Sequence, residues 1–193
     1  TGDPALIRRA YPEVKLVSDS QRFAPALNCR QLPRQWHSFQ LQWLWPAADQ
    51  HQRSKNDSSC VLLVKQQLHT VLLSGDIGQQ VEKKLLQLYP NLRADILLLA
   101  HHGSNSSTAL AWLAQLQPKV VLNSSGAGNP YQHPARAVTA RLELLQIPLL
   151  DTAKLGALQL QFLPDGLAID SFRLRRQVKW LENLPVDAET AET

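Results

Sequence analysis

The stretch Ile96-Leu97-Leu98-Leu99-Ala100-His101-His102-Gly103-Ser104 passes from an unbroken apolar run to two imidazoles and a glycine. An apolar run this short, with no alternation, reads as a sheet strand covered on both faces. Its surroundings repeat the pattern. Upstream, Val61 to Val64 and Val71 to Leu73 flank a short polar link and read as a buried hairpin, and the second run ends in Ser74-Gly75-Asp76. Val81, Leu85 and Leu88 then recur at helical spacing until Pro90. Downstream, Ala109 to Leu116 is helical in spacing, Val120 to Leu122 is apolar again, and Val138, Leu142 and Leu145 repeat the helical interval just after His133-Pro134. Strand, helix, strand, helix in short units predicts an α/β fold whose sheet strands are covered by helices.

The flanks differ in character. Asp3-Pro4 opens a short helix through Ala10, closed by Pro12. Val14 to Val17 reads as a brief strand, and Gln21 to Arg34 as a loop. Phe39, Leu41, Trp43 and Trp45 alternate with polar residues up to Pro46, the period of a half-buried strand. Near the other end Leu158, Leu160 and Phe162 alternate with glutamines, and Pro164-Asp165-Gly166 turns the chain into Leu167 and Ile169, an antiparallel hairpin. Arg173, Arg175 and Arg176 form a basic patch, either a solvated strand end or a set of phosphate contacts. Residues 1–176 are read as one domain and 177–193 as a tail.

Composition bounds the function classes. The 193 residues are 44% hydrophobic and 19% charged, which suits one globular domain and excludes a disordered scaffold. No run approaches the length of a membrane span. With no methionine the chain is expected to be a piece of a longer or processed protein. A net charge of +4 tolerates an anionic partner without demanding one. Cys29 and Cys60 lack metal-binding spacing; they could pair in an oxidising compartment or remain thiols, and two buried thiols are the expectation, since a chain of this size needs no staple.

The chemistry-bearing residues stand at the ends of the apolar strands. Asp76 follows one, His101 and His102 the next, and a hydroxyl-rich Ser124-Ser125-Gly126 loop the third, with His133 just ahead of a helix. In α/β sheets the ligand crevice lies outside the carboxyl ends of the strands, so these groups can converge. An aspartate with two or three histidines is a donor set for zinc, manganese or iron. Each alone has a plainer reading: Gly75-Asp76 as a turn, His133 as a surface residue beside a helix start. His37, His51 and His69 lie on loops or alternating positions and are left out of the site.

The series Asn56-Asp57-Ser58-Ser59, Leu72-Leu73-Ser74-Gly75-Asp76, Ala94-Asp95 through His101-His102-Gly103-Ser104, and Tyr131-Gln132-His133-Pro134 resembles the metallo-β-lactamase-like domain of the ComEC DNA-uptake channel proteins of competent bacteria. The resemblance covers most of residues 3 to 162. It implies a four-layer αββα sandwich holding one or two divalent ions, zinc or manganese. By that resemblance Asp76 is a bridging metal carboxylate, His102 a metal ligand and His101 its assistant in proton transfer or phosphate binding. His133 would face substrate or leaving group, and Asn56 would stand near another metal position. The fold's principal His-x-His/Asp-x-Asp-His cluster is absent from the sequence. The resemblance therefore implies a domain lacking its N-terminal strands and carrying about half of a metal site. It further implies a DNA nuclease partnered by the membrane-channel portion of an inner-membrane protein, on the periplasmic side. The alternatives are another hydrolase of the same fold and a non-catalytic DNA-contacting module.

Overall fold

The computed structural model describes residues 9–13, 29–46, 56–163, 166–173 and 176–180. They form a seven-stranded sheet whose spatial order follows the chain: β1 (Gln35–Trp36), β2 (Phe39–Trp45), β3 (Val61–Gln66), β4 (His69–Leu73), β5 (Ile96–Leu98), β6 (Val120–Asn123) and β7 (Leu149–Asp151). The first four strands pair antiparallel, and β4 through β7 pair parallel. Three helices connect the parallel strands: α1 (Gln79–Leu88), α2 (Leu110–Leu116) and α3 (Arg136–Leu144). A single turn, α4 (Thr152–Leu155), follows β7.

Side-chain alternation explains why the central strands are apolar throughout. Leu72, Leu97 and Val121 face one way and join Val81, Leu85, Trp112, Leu113, Leu116, Val138 and Leu142 of the helices in one core. Their neighbours Val71, Ile96, Val120 and Leu122 face the other way and pack against Leu167 and Ile169. Those two belong to a second, antiparallel sheet of β8 (Leu158–Leu163), β9 (Gly166–Ser171) and β10 (Arg176–Trp180), in the order β10-β9-β8. The layers are therefore helices, large sheet and small sheet. The predicted C-terminal hairpin is two strands of that small sheet, which covers the face the helices leave open.

The strand over Phe39–Trp45, the hairpin of β3 and β4, and α1, α2 and α3 match the sequence reading. Leu88 departs from it: placed on the apolar stripe of α1, it is 52% exposed in the last turn. The strands β1, β7 and β10 and the turn α4 were not predicted. Arg9 and Ala10 are helical and the chain leaves that helix at Tyr11; the rest of the N-terminal helix, the strand at 14–17, His51 and the residues beyond 180 lie outside the described residues.

The expectation of two thiols is corrected. Cys29 and Cys60 form a disulfide, with Cα atoms 6.0 Å apart. Sequence separation of 31 residues says nothing about proximity; the close approach comes from the turn Cys29–Gln31 lying beside β2, next to the residue that leads into β3. The predicted basic patch is also specific in part: the Arg173 guanidinium donates to the carbonyls of Ala153 (2.9 Å) and Lys154 (3.1 Å), so it is held on the α4 turn. Arg175 and the side chain of Arg176 lie outside the described residues.

Candidate functional site

Parallel register brings β4, β5 and β6 to a common finish, with Leu73 opposite Leu98 and Leu98 opposite Leu122. The loops that follow leave the same edge of the sheet. The first is buttressed by the turn at Asn56–Ser58. Ser59 Oγ accepts the Asp76 amide at 3.1 Å, and the Asp57 carboxylate accepts the Gly78 amide at 3.0 Å. Gly75 has φ +59°, and a Cβ there would sit 2.7 Å from Ser59 Cβ, so only glycine lets the chain turn this close to its support. The Gly75 carbonyl then accepts the His101 amide at 2.9 Å, tying the aspartate loop to the histidine loop.

His101 (φ 51°, ψ 41°) and His102 (φ 56°, ψ 26°) both adopt the left-handed conformation. Each costs about 1–2 kcal/mol relative to a right-handed residue. The turn separates the roles of the two rings. His102 Nδ1 lies 2.6 Å from the Ser124 carbonyl oxygen, which can only accept, so Nδ1 carries the proton and neutral His102 has its lone pair on Nε2. That Nε2 faces Asp76 Oδ1 at 3.9 Å, with the two side chains 53% and 45% exposed. His101 Nε2 is instead 3.3 Å from the Asn56 amide nitrogen, a donor, which occupies the corresponding lone pair.

His133 closes the far side. Its ring meets His101 edge-on, with centroids 6.2 Å apart, and stacks on Tyr131 at 5.7 Å and 20°. Its Nδ1 is buried with no hydrogen-bond partner among the described residues. Burial lowers its pKa below the ordinary 6.5, and the nearby His101 and His102 lower it further. Asn129 fixes the loop: its amide donates to the Gly126 and His133 carbonyls and its oxygen accepts the His133 amide.

A buried carboxyl group behind the site holds the histidine turn. Glu82 of α1 is fully buried and its carboxylate accepts the amides of Thr108 and Ala109. Desolvation raises its pKa, opposed by those two bonds and by Arg141. Arg141 donates to the carbonyls of Ser107 (3.1 Å) and Thr108 (3.0 Å), and Ser107 Oγ donates to Ala100 and Ser104 carbonyls. Glu82 escaped the sequence reading. Its only signal is its place between Val81 and Leu85 on the buried stripe of α1.

Two clefts of about 450 and 440 Å³ flank the His101-His102 turn. One is lined by Asn56, Asp76, His101 and Asn105, and the other by His102, Ser124, Tyr131 and His133. A larger cleft of about 640 Å³ lies at the opposite end of the strands, near Lys65, Thr70 and Asp95. Asp95, part of the resemblance motif, belongs to that end: it accepts the Thr70 amide and hydroxyl, both at 2.8 Å, and pairs with Lys119 at 3.4 Å. It ties β4 to β5 and is remote from the histidines. His69 also opens β4 at that end, and His37 sits in the β1–β2 turn.

All five sequence-predicted site residues, Asn56, Asp76, His101, His102 and His133, therefore meet at one edge. As metal donors, Asp76 Oδ1 and His102 Nε2 fit in chemistry and spacing: 3.9 Å is too long for a hydrogen bond and just within the span of two bonds of about 2.0–2.2 Å to one ion. Among the described residues no group of three such side chains is gathered to hold a metal. A catalytic zinc site takes about three protein ligands, so the pair is an incomplete set.

No family model matches the chain. It is 33% identical over 181 residues, 90% of its length, to Recombination protein 2 of Haemophilus influenzae. It is 36% identical over 135 residues, 69% of its length, to Competence protein ComA of Neisseria gonorrhoeae, and 37% identical over 109 residues, 56% of its length, to ComE operon protein 3 of Bacillus subtilis. These three relatives are ComEC-family competence proteins. The chain spans 22%, 19% and 14% of the length of these three relatives. Among the described residues no helix is long and apolar enough to cross a membrane.

Proposed function

We propose that this chain supplies part of a metal-dependent phosphodiesterase domain, of metallo-β-lactamase-like αββα architecture, that cleaves DNA within a competence DNA-uptake protein. The observation that carries the reading is the lone pair of His102 Nε2, fixed by the Ser124 carbonyl and turned toward the Asp76 carboxylate. A backbone carbonyl that accepts one ring N–H and so orients the other nitrogen is the arrangement that metal-ligating histidines use. Asp76 and His102 would hold zinc or manganese, and the remaining ligands would come from residues outside this pair.

The bound ion would supply Lewis-acid stabilisation of phosphoryl oxygens and a hydroxide nucleophile at neutral pH. The chain's own residues would do the rest. Asn56, donating to His101 Nε2, fixes that ring at the rim of one cleft and would leave its Nδ1–H as the group that donates to a substrate phosphate. Burial and the two neighbouring histidines favour the neutral form of His133, which could accept a proton beside the substrate. The names of two relatives, a recombination protein and a competence protein, support DNA as the substrate; the membrane-channel portion of the same protein as partner, and the periplasmic side of the inner membrane, rest on the resemblance of the sequence motifs alone.

The test is cleavage of single- and double-stranded DNA by the full-length protein with manganese or zinc. Expected is cleavage abolished by a chelator and reduced at least about 100-fold by Asp76→Asn. A second reading is a DNA-contacting module without catalysis, for which the donor pair Asp76 and His102 among the described residues would not need a third ligand. Metal-independent DNA binding that falls steeply with salt, with no cleavage under any metal, would establish it in place of the first.

A further inference from the structure

The loop that carries His133 presents an aromatic ring that the fold does not use. Tyr131 is 77% exposed, yet it is not loosely held. One face stacks on His133, and the turn beneath it is pinned at both ends by Asn129. The Gln132 amide adds a bond to the Asn129 carbonyl at 3.1 Å. A large ring fixed in place without being buried contributes little to the core, and its outer face lies open beside the cleft that His102 lines.

The rest of that cleft suits a neutral, flat, hydrogen-bonding ligand. Ser124 and Ser125 line it with hydroxyl groups, and none of the described residues lining it carries a carboxylate or ammonium group. Gly126 keeps the wall low: a Cβ at that position would meet nothing within 4 Å. The cleft thus runs from the imidazole facing Asp76 to an exposed aromatic face.

We propose that Tyr131, stacked on His133, is the platform for an unpaired nucleobase, so that the site takes single-stranded DNA or the splayed end of a duplex. This inference rests on the phosphodiesterase reading for its substrate class. Bases within a duplex are already stacked on one another, and a ring at the mouth of a cleft can receive a base only when it has left the stack. Stacking accepts all four bases, so the platform adds affinity for an open strand without sequence preference.

The experiment has two arms on the full-length protein. In the first, a single-stranded oligonucleotide carrying 2-aminopurine is titrated in chelator, so that no metal or cleavage is involved. The expected result is quenching on binding, with affinity weakened about 5- to 150-fold by Tyr131→Ala and restored by Tyr131→Phe, which keeps the ring and loses only the hydroxyl. Quenching unchanged in Tyr131→Ala, or absent throughout, overturns the inference whatever the cleavage result. In the second arm, cleavage is compared between an intact oligonucleotide and one with consecutive abasic sites. The preference for the intact strand should shrink by the same factor in Tyr131→Ala; an equal loss on both substrates would mean that Tyr131 acts on the loop and not on a base. Quenching as expected with no cleavage under any metal would refute the phosphodiesterase reading and leave the stacking platform standing.

Discussion

Replacing Gly103 by alanine tests how the two halves of the site are joined. Gly103 has φ +77°, and an added Cβ would lie 2.7 Å from Pro134 Cβ and 3.0 Å from Pro134 Cα. These contacts are with a proline and its backbone, which cannot rotate away. The left-handed backbone costs alanine about 1–2 kcal/mol, and forcing a methyl group into a packed contact costs about 1–3 kcal/mol. A stiffer unfolded chain offsets about 0.4–1 kcal/mol. The net expectation is a destabilisation of about 1–4.6 kcal/mol in a urea titration. Gly126→Ala, where the added methyl meets nothing, should stay within about 0.5 kcal/mol of the parent. The change should also move chemistry, because Pro134 carries His133 and the Gly103 carbonyl accepts the Ala135 amide at 2.9 Å. Pushing that segment outward takes His133 away from its burial and from His101 and His102, so its pKa should rise toward the ordinary 6.5. Histidine ring resonances followed by NMR through a pH titration would read this directly. A Gly103→Ala protein that loses less than about 1 kcal/mol and leaves the His133 midpoint where it was would refute the coupling of the histidine turn to the His133 loop.

Three further outcomes are expected. Calorimetric titration with manganese or zinc should show binding weakened by more than about 100-fold in His102→Gln, beyond what losing a supporting hydrogen bond costs, and by much less in His101→Gln; equal losses would undo the distinction drawn between the two rings. Glu82→Gln should cost about 1–3 kcal/mol, since one of the Thr108 and Ala109 amides loses its acceptor. Burial raises the Glu82 pKa, so the folded protein holds that proton more tightly than the unfolded chain. Its contribution is fullest below the unfolded value of about 4.5 and declines as pH rises through the higher folded value, so the penalty of Glu82→Gln should be larger at pH 4 than at pH 7. Cys60→Ser should lower stability by about 3–4 kcal/mol under oxidising conditions, from the entropy of a loop closed across 31 residues, and the difference should vanish when the parent is reduced.

The parallel core was legible in the sequence because its strands are buried on both faces and its helices show one apolar stripe each. The convergence of Asp76, His101, His102 and His133 followed from strand order alone, since parallel neighbours finish at one edge. What the sequence did not show was set by partners. Strand β1 is two residues long and β7 three, and each is defined by the ladder of its neighbour and not by any pattern of its own. Strand β10 reads as a polar segment because nothing in Arg176 to Trp180 announces that β9 will pair with it. Glu82 looks like a solvated helix charge until the amides of Thr108 and Ala109 are seen to meet it. Asp95 shows the converse: the motif that supports the resemblance contains a residue whose observed bonds are all at the far end of the strands.

The left-handed turn at His101 and His102 bears most directly on function. Two consecutive non-glycine residues in this conformation cost about 2–4 kcal/mol together. The surrounding bonds suffice to hold them: the His101 amide on Gly75, the Ser104 amide on the His101 carbonyl, the Ser107 hydroxyl on Ala100 and Ser104, and the Glu82 and Arg141 contacts behind. Core packing does not require the arrangement, because His102 is more than half exposed and neither imidazole belongs to either hydrophobic cluster. A relaxed loop could cover the same strand ends at lower cost. What the strained turn achieves is placement, with one imidazole against the Ser124 carbonyl and facing Asp76, and the other against Asn56 and facing His133. Strain kept at an exposed strand end, and supported from the buried side, is what the proposed site requires if the two rings are held for their chemistry.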